Sequence, residues 1–210
     1  MEISGLKHQF VEMAEKRQNF EQWFDGSKVV GPNGEPLVVF HATPKDFELS
    51  NIQSFSHFGS AAAAQGIIDR CLRTRFVRYS DMGQPNKNLK VFPVFLSIKN
   101  PLVMTDASAD WAHTYYYELS RMNIFDVNEL KACFPKGLID DQAKAWKQDL
   151  INFLQRHGYD GLVYQNNVED QGSQSYVTFG AGQVRAAIPL NNVLPRKSFY
   201  AAKDQVKPWR

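Results

Sequence analysis

The sequence predicts an α+β fold in which short strands alternate with irregular connections and amphipathic helices. Three observations favour this class. The chain has 210 residues, of which 43% are apolar, enough for one domain of this length to bury a full core. Its apolar runs are short and bounded by Gly, Pro, Asn and Asp, which is typical of strands and turns. Other segments repeat apolar residues every three or four positions, as helices with one buried face do.

Composition and charge exclude several classes of protein. The 24 Lys and Arg residues nearly balance the 22 Asp and Glu residues, for a net charge of +2, so a nucleic-acid partner is not expected. No apolar run approaches the ~20 residues of a membrane span, so no membrane partner is predicted. The five histidines lack the i, i+4 pairing of a helical metal site and the two cysteines form no CxxC motif, so no metal is predicted.

The first elements are a helix and a hairpin. Residues 1–26 form a predicted N-terminal helical segment, because apolar residues recur there at helical spacing. Lys28–Val30 and Leu37–Phe40 then read as two strands, since the dense turn chemistry of Gly31–Pro36 separates them. The second strand leads directly to His41.

The middle of the chain predicts one helix and one core strand. Ser60 is a candidate N-cap for a helix over Ala61–Arg70. Val91–Ile98 has the alternating pattern of a strand and is expected to end before Pro101.

The last third predicts helices and then two short strands. Residues 105–157 carry helical patterns, the clearest over Asp141–His157. Leu162–Tyr164 and Tyr176–Phe179 read as strands, and residues 196–210 as a basic C-terminal tail. Polar residues collect where strands end, and sites usually form at such places because a rigid sheet positions the loops.

Several segments together resemble a known family. They are Trp23–Val30, Gly34–Thr43, Val94–Leu102, Gly158–Tyr164 and Ser175–Phe179 with Gln183. Their order and spacing are similar to those of the ADP-ribosyltransferase-like domains of phage polyvalent proteins and related bacterial effectors. The resemblance predicts one such domain over residues 27–195, with a helical insertion at about 105–157.

The resemblance implies a fold and an activity. Relatives hold NAD, as a substrate, in a cleft between two curved, mostly antiparallel sheets and transfer its ADP-ribose to an acceptor, releasing nicotinamide. It therefore implies a glycosyltransferase with a protein acceptor, an effector or toxin that acts in the cytoplasm or is delivered into a target cell. Breaking the bond between ribose and nicotinamide creates an oxocarbenium-like centre, which needs nearby negative charge.

His41-Ala42-Thr43 resembles the first motif of the family. There the histidine hydrogen-bonds a ribose hydroxyl and the next residue's backbone holds the nicotinamide amide, so the resemblance assigns NAD binding to His41, Ala42 and Thr43. Ala42 departs from the usual glycine, but alanine keeps both backbone polar groups.

Ser56-His57-Phe58-Gly59-Ser60 resembles the second motif. His57 stands where many relatives have a tyrosine that stacks on nicotinamide, and an imidazole can stack and also donate a hydrogen bond. The resemblance therefore makes His57 a candidate both for catalysis and for NAD binding. Phe58 is a further candidate for NAD binding. The alternative is that both rings only pack beneath a loop.

The third motif supplies the carboxylate, and here the sequence departs from the family. Many relatives have a glutamate immediately before the Tyr-Val-Thr-Phe strand, whereas this chain has Ser175, which cannot carry the charge. We predict that Glu169, in the preceding loop, is the catalytic carboxylate. Ser175 and Gln174 are predicted to be polar positioning groups, and Ser175 is also a candidate for NAD binding. A solvated loop acid is the alternative for Glu169.

Other charged residues leave further alternatives. Asp160, in a turn flanked by glycines, is expected to accept hydrogen bonds from backbone N–H groups of that turn. Gln183 is expected to hold the end of the final strand in place. Arg70, Arg73, Arg75 and Arg78 either meet the diphosphate of NAD or form a solvated face. A non-catalytic NAD-binding or interaction domain, and phosphotransfer from RNA to NAD on a similar fold, remain alternatives to ADP-ribosyl transfer.

Overall fold

A computed structural model describes residues 15–43, 48–73, 90–108, 111–134 and 145–187. Helix α1 covers residues 15–24. The other helices are α2 (Ala61–Arg73), α3 (Ala112–Arg121), α4 (Val127–Ala132) and α5 (Ala145–Arg156). The strands are β1 (Val39–Thr43), β2 (Ser56–Phe58), β3 (Lys90–Leu96), β4 (Pro101–Met104), β5 (Gly161–Gln165), β6 (Gln174–Thr178) and β7 (Val184–Ala186). Short 3₁₀ turns lie at Leu49–Asn51 and Ala181–Gln183.

The strands form two sheets, so the predicted α+β class is confirmed. The first sheet has the order β1-β3-β7 and is antiparallel. The second sheet has the order β2-β6-β5-β4, in which β4 and β5 are parallel and the other pairs antiparallel. The tail predicted at residues 196–210 lies outside the described residues.

Two apolar cores hold these layers together. One lies between the sheets, where Val94 and Leu96 of β3 pack in the same cluster as Phe58, Val163 and Tyr176. The other lies between the second sheet and the helices of the interval 105–157, with α5 contributing four fully or almost fully buried side chains. These are Leu150, Ile151, Phe153 and Leu154. The helices therefore cover one face of the second sheet while the first sheet covers the other.

A pair of backbone hydrogen bonds joins β1 of the first sheet to the residue that follows β2 of the second sheet. Phe40 of β1 donates its N–H to the Gly59 carbonyl over 2.8 Å, and Gly59 donates back to the Phe40 carbonyl over 3.0 Å. This bridge draws β1 and β2 side by side, although they belong to different sheets. It brings the two histidines of the first two motifs into contact.

The predicted elements are mostly present, with informative differences at their ends. The first hairpin is reduced to an isolated bridge between Val30 and Pro36, and β1 begins later than predicted, so His41 lies inside the strand. Pro101, expected to end a strand, instead begins β4, a position where proline's missing N–H is tolerated. The sequence patterns did not predict strands β2, β4 and β7, since their pairing partners are remote in sequence.

The structural assignments of Asp160 and Gln183 are confirmed. The Asp160 carboxylate accepts the backbone N–H groups of Lys99 and Asn100 over 2.7 and 2.8 Å. The Gln183 side chain accepts from the N–H groups of Phe179 and Gly180 and donates to the carbonyls of Ser97 and Asp160. Both residues tie loop ends to the sheets.

Helix α1 is attached to the first sheet by an aromatic cluster. Phe20 packs on Phe95 of β3 with ring centroids 5.1 Å apart, and Trp23 donates its indole N–H to the Gly182 carbonyl over 2.8 Å. Arg185 of β7 stacks over Trp23. Among the helices that the structure describes, none has the length and apolarity that crossing a membrane demands.

Candidate active site

A cavity of about 370 Å³ opens where the two sheets meet, within the size range of small-molecule sites. Six of the seven predicted site residues line it, namely His41, Ala42, His57, Phe58, Glu169 and Ser175. Thr43, the seventh, is buried further along β1 and lies outside the lining. We call His41, Ala42, His57 and Phe58 the strand wall, and residues 166–173, between β5 and β6, the carboxylate loop.

His41 is buried, and one of its ring nitrogens is hydrogen-bonded to the backbone. Its Nδ1 lies 2.8 Å from the His57 carbonyl, and because a carbonyl only accepts, Nδ1 carries the hydrogen. Burial lowers the pKa of His41 below 6.5, the neighbouring His57 ring lowers it further, and the bond to the His57 carbonyl partly opposes both. A neutral ring protonated on Nδ1 presents Nε2 as an acceptor, which suits a hydroxyl donor.

The backbone of Ala42 has a negative φ, and its N–H and C=O are directed away from β3. Its φ is not positive, so the alanine methyl causes no left-handed strain. Phe40 directs its N–H and C=O away from β3, toward Gly59, and groups two residues apart on a strand point to the same edge. The N–H and C=O of Ala42 therefore also face away from β3.

His57 packs beside two aromatic side chains, those of Phe55 and Tyr164. Its Nδ1 is 3.1 Å from the hydroxyl of Tyr164 on β5, and its ring packs edge-on against Phe55 at 6.0 Å. Tyr164 also lines the cavity. Sequence reasoning missed Tyr164, since it read as a core residue of a short strand.

The carboxylate loop is organised by one buried side chain. Asn166 is 2% exposed, and its Oδ1 accepts the backbone N–H groups of Val168, Glu169 and Asp170 over 3.0, 2.8 and 3.1 Å. Its Nδ2 donates to Glu169 Oε2 over 3.0 Å and to Ser175 Oγ over 3.1 Å. An Asn-centred turn is a common local device, but the bond to a side chain on the next strand cannot be read from sequence.

Glu169 faces the cavity in an ion pair. Arg70 of α2 donates from Nη2 to Glu169 Oε1, and the side chains are 45% and 14% exposed respectively. Glu169 is therefore mostly buried, unlike a solvated loop acid. The partner arginine is half-exposed and also lines the cavity.

A glycine in α2 permits this close approach. A Cβ on Gly66 would lie 3.0 Å from Glu169 Cβ and 3.2 Å from its carbonyl oxygen, closer than almost all real contacts. Glycine within a helix costs about 1 kcal/mol relative to alanine. The close approach of Glu169 therefore explains a glycine that helix propensity alone disfavours.

Asp170, the second acid of the carboxylate loop, accepts a hydrogen bond from Ser60 at the start of α2. Ser60 accepts the N–H of Ala63 over 3.0 Å, which confirms it as the N-cap of α2, and donates its hydroxyl to Asp170 Oδ2. Asp170 does not line the cavity. The loop therefore turns Glu169 toward the cavity and Asp170 toward the helix N-terminus, where negative charge is favourable.

The family comparison agrees with this geometry. Residues 32–193 match the family model described as ADP-ribosyltransferase in polyvalent proteins. The chain belongs to this family. No curated protein and no solved structure matches the chain.

The cavity of this ADP-ribosyltransferase-family chain is lined by two imidazoles, by aromatic rings, by the Glu169 carboxylate and by the Arg70 guanidinium. Side chains of these types can contact the hydroxyl, flat heterocyclic and phosphate groups of a ligand. The side chain of Arg73, together with Arg75 and Arg78, lies outside the described residues. Within the part of the chain that is described, no three His, Cys, Asp or Glu side chains gather as a metal site would require.

Proposed function

We propose that this chain cleaves NAD and transfers ADP-ribose to a protein side chain, releasing nicotinamide. One observation carries the proposal: a mostly buried carboxylate, Glu169, faces the cavity that holds both histidines and is joined through Asn166 to Ser175. Ser175 occupies the position where many relatives have their glutamate. The resemblance to phage and effector domains supports action in the cytoplasm of the producer or of a targeted cell.

The two strand-wall residues on β1, His41 and Ala42, bind the nicotinamide ribose and the nicotinamide amide in this proposal. His41 accepts a ribose hydroxyl at Nε2, as its lowered pKa and its Nδ1 bond favour. Ala42 holds the nicotinamide amide through its backbone N–H and C=O. Thr43 supports the strand rather than touching NAD, since it lies outside the cavity lining.

The other two strand-wall residues, His57 and Phe58, contact the nicotinamide ring in this proposal. His57 stacks on the pyridine ring or hydrogen-bonds its amide, and Phe58, which packs on His41 with ring centroids 5.4 Å apart, limits how far the ring enters. Tyr164 fixes the orientation of His57 through its hydroxyl.

Glu169 supplies the negative charge for the reaction. The bond between the ribose carbon and the pyridinium nitrogen breaks, its electron pair leaves with nicotinamide, and positive charge develops on the ribose. A carboxylate in a largely water-excluded site stabilises that charge far more than one in water does. The acceptor nucleophile then forms its bond to the ribose carbon and gives up its proton.

The proposal is tested by replacing the two loop acids separately. Glu169→Gln removes the charge at nearly constant shape and is expected to lower the rate of nicotinamide release at least ~100-fold, as losing an electrostatic stabiliser does. Asp170→Asn is the matched control and is expected to stay within a few-fold of the parent. Nicotinamide release and label transfer from NAD are both measured, and unchanged rates in Glu169→Gln contradict the proposal.

A non-catalytic NAD-binding domain is the second candidate. The serine at position 175 and the pairing of Glu169 with Arg70 favour it, because a neutralised carboxylate stabilises a cation less. This function predicts that NAD raises the melting temperature while no nicotinamide is released. The same two measurements on the parent chain separate the candidates.

A further inference from the structure

We propose that Asn166 is the positioning residue of Glu169, and that it lets a glutamate upstream of the usual place carry the catalytic charge. This inference rests on the proposed function of Glu169. Asn166 contacts neither NAD nor the reacting atoms in the proposal. It acts by fixing where one carboxylate oxygen lies.

The hydrogen-bond inventory of Asn166 is complete. Oδ1 accepts three backbone N–H groups of the carboxylate loop, and Nδ2 uses both its hydrogens, one toward Glu169 Oε2 and one toward Ser175 Oγ. Exchanging the amide oxygen and nitrogen would set donors against three N–H groups, so the orientation is determined by the network. The side chain therefore joins the loop backbone, the carboxylate and β6.

Few other side chains can make this set of bonds. An aspartate of the same shape accepts the three N–H groups but cannot donate to Glu169. A serine can accept a loop N–H, as in the related serine turns, but has no amide donor to give to the carboxylate. Because Asn166 is 2% exposed, water does not readily replace a bond that is lost.

The two oxygens of Glu169 are held in different ways. Oε1 pairs with Arg70, whose side chain is 45% exposed, whereas Oε2 is held by the buried Asn166. A long half-exposed arginine fixes geometry weakly because it has many rotamers. Arg70 thus supplies charge and Asn166 supplies the orientation.

Within the described ranges, two further acids near the carboxylate loop have hydrogen-bond partners of their own. Asp170 binds the Ser60 hydroxyl at the start of α2, and Asp106, after β4, accepts the N–H of Asn167 over 2.8 Å. His41 and His57 face the carboxylate from the strand wall across the same cavity. A new acid at position 166 would therefore act on Glu169 directly, at the oxygen that Asn166 now holds.

The decisive variant is Asn166→Asp in the full chain, with Asn167→Asp as the matched control. Asn167 is exposed and adjacent, so the control adds the same charge without touching the network. In Asn166→Asp we expect kcat for nicotinamide release to fall at least ~30-fold while KM for NAD changes less than ~3-fold, the pattern of a transition-state interaction. We also expect the acidic limb of the kcat–pH profile to move to higher pH, because a second carboxyl disfavours ionised Glu169.

Two outcomes overturn the inference. One is a folded Asn166→Asp variant with parental kcat and pH profile. The other is a lowered kcat with an unmoved pH profile, which is what a purely structural role produces. If Asn166→Asp does not fold, Asn166→Ser decides: it keeps an acceptor for the loop, and a parental kcat in that folded variant overturns the inference, whereas a kcat reduced at unchanged melting temperature supports it.

Glu169→Gln, measured beside these variants, separates this inference from the proposed function. If Glu169→Gln keeps full activity, the proposed function fails and this inference falls with it. If Glu169→Gln is inactive while Asn166→Asp behaves as the parent, the proposed function stands and the role of Asn166 alone is refuted.

Discussion

The strand wall and the carboxylate loop face the same cavity but are positioned by different bonds. His41 and Ala42 sit on β1, which pairs with β3 along five residues from Val39 to Thr43 and with Gly59 through two backbone bonds. Glu169 is placed by side chains, those of Asn166 and Arg70. Substitutions on the strand wall should therefore change its chemistry without moving it, whereas substitutions that break or crowd the contacts of Glu169 should move its carboxylate.

Among substitutions that leave Glu169 and Asn166 unchanged, the largest expected effect comes from crowding the loop at α2. Gly66→Ala places a methyl group 3.0 Å from Glu169 Cβ and 3.2 Å from its carbonyl oxygen, so the loop must give by a few tenths of an ångström. This displacement is expected to lower kcat by about 10- to 30-fold, because misplacement by a full 1 Å can cost about 100-fold. Steady-state nicotinamide release measures it.

Gly182→Ala is the control for this substitution. Nothing lies within 4 Å of a Cβ at Gly182, and this glycine is remote from the cavity lining. Parental kcat in Gly66→Ala would mean that the loop tolerates displacement, and the contrast between the two regions would then be lost.

A smaller effect is expected on the strand wall. His41→Asn removes the imidazole acceptor, and we expect the Kd for NAD to rise about 10-fold, the value of roughly one hydrogen bond. Because backbone pairs hold β1, the melting temperature should change by no more than a few degrees. Calorimetric titration with NAD and thermal unfolding give the two quantities, and collapse of the fold would contradict a wall set by its backbone.

The pH dependence of stability sharpens the same contrast. Burial lowers the pKa of His41 below 6.5. As the pH falls through 6.5, His41 therefore becomes protonated in the unfolded chain before it does in the folded chain. Stability linked to His41 is therefore present above pH 6.5 and is lost toward the lower folded pKa, by at most ~1.4 kcal/mol per pH unit. The parent should lose more melting temperature than His41→Asn between pH 7.5 and 5, and parallel curves would refute the linkage.

The smallest effect on activity is expected far from both regions. Gln183→Ala deletes four hydrogen bonds between loop ends and sheets, which should lower the free energy of unfolding by about 2 kcal/mol. Because Gln183 does not line the cavity, kcat should stay parental under conditions where the variant is folded. Denaturant unfolding and nicotinamide release test the two halves, and a large fall in kcat would show that the scaffold and the site are coupled.

Much of the fold was predictable because its signals are local. Apolar periodicity and turn residues indicated β1, α2, β3, α5, β5 and β6, and Ser60 was identified as a helix cap from its position alone. Strands β2, β4 and β7 were missed. Each pairs with a strand remote in sequence: β2 with β6, β4 with β5 and β7 with β3.

The candidate site was predictable only as far as its motifs were contiguous. His41, His57 and Ser175 were found from short segments that resemble family motifs, and Glu169 from the need for an acid nearby. Tyr164 and Gly66 gave no signal of their own, because a strand tyrosine and a helix glycine have many ordinary explanations. Asn166 could be read as a turn residue but not as the donor to Glu169.

The sequence by itself determined the family, the fold class and which residue types could reach the site. It did so because dihedral preferences, apolar spacing and motif order are properties of neighbouring residues. Only the tertiary structure decided that Arg70 meets Glu169 across 99 residues and that His57 meets Tyr164 across 107. Such contacts follow from how the sheets, α2 and the carboxylate loop pack together, and local patterns leave that packing open.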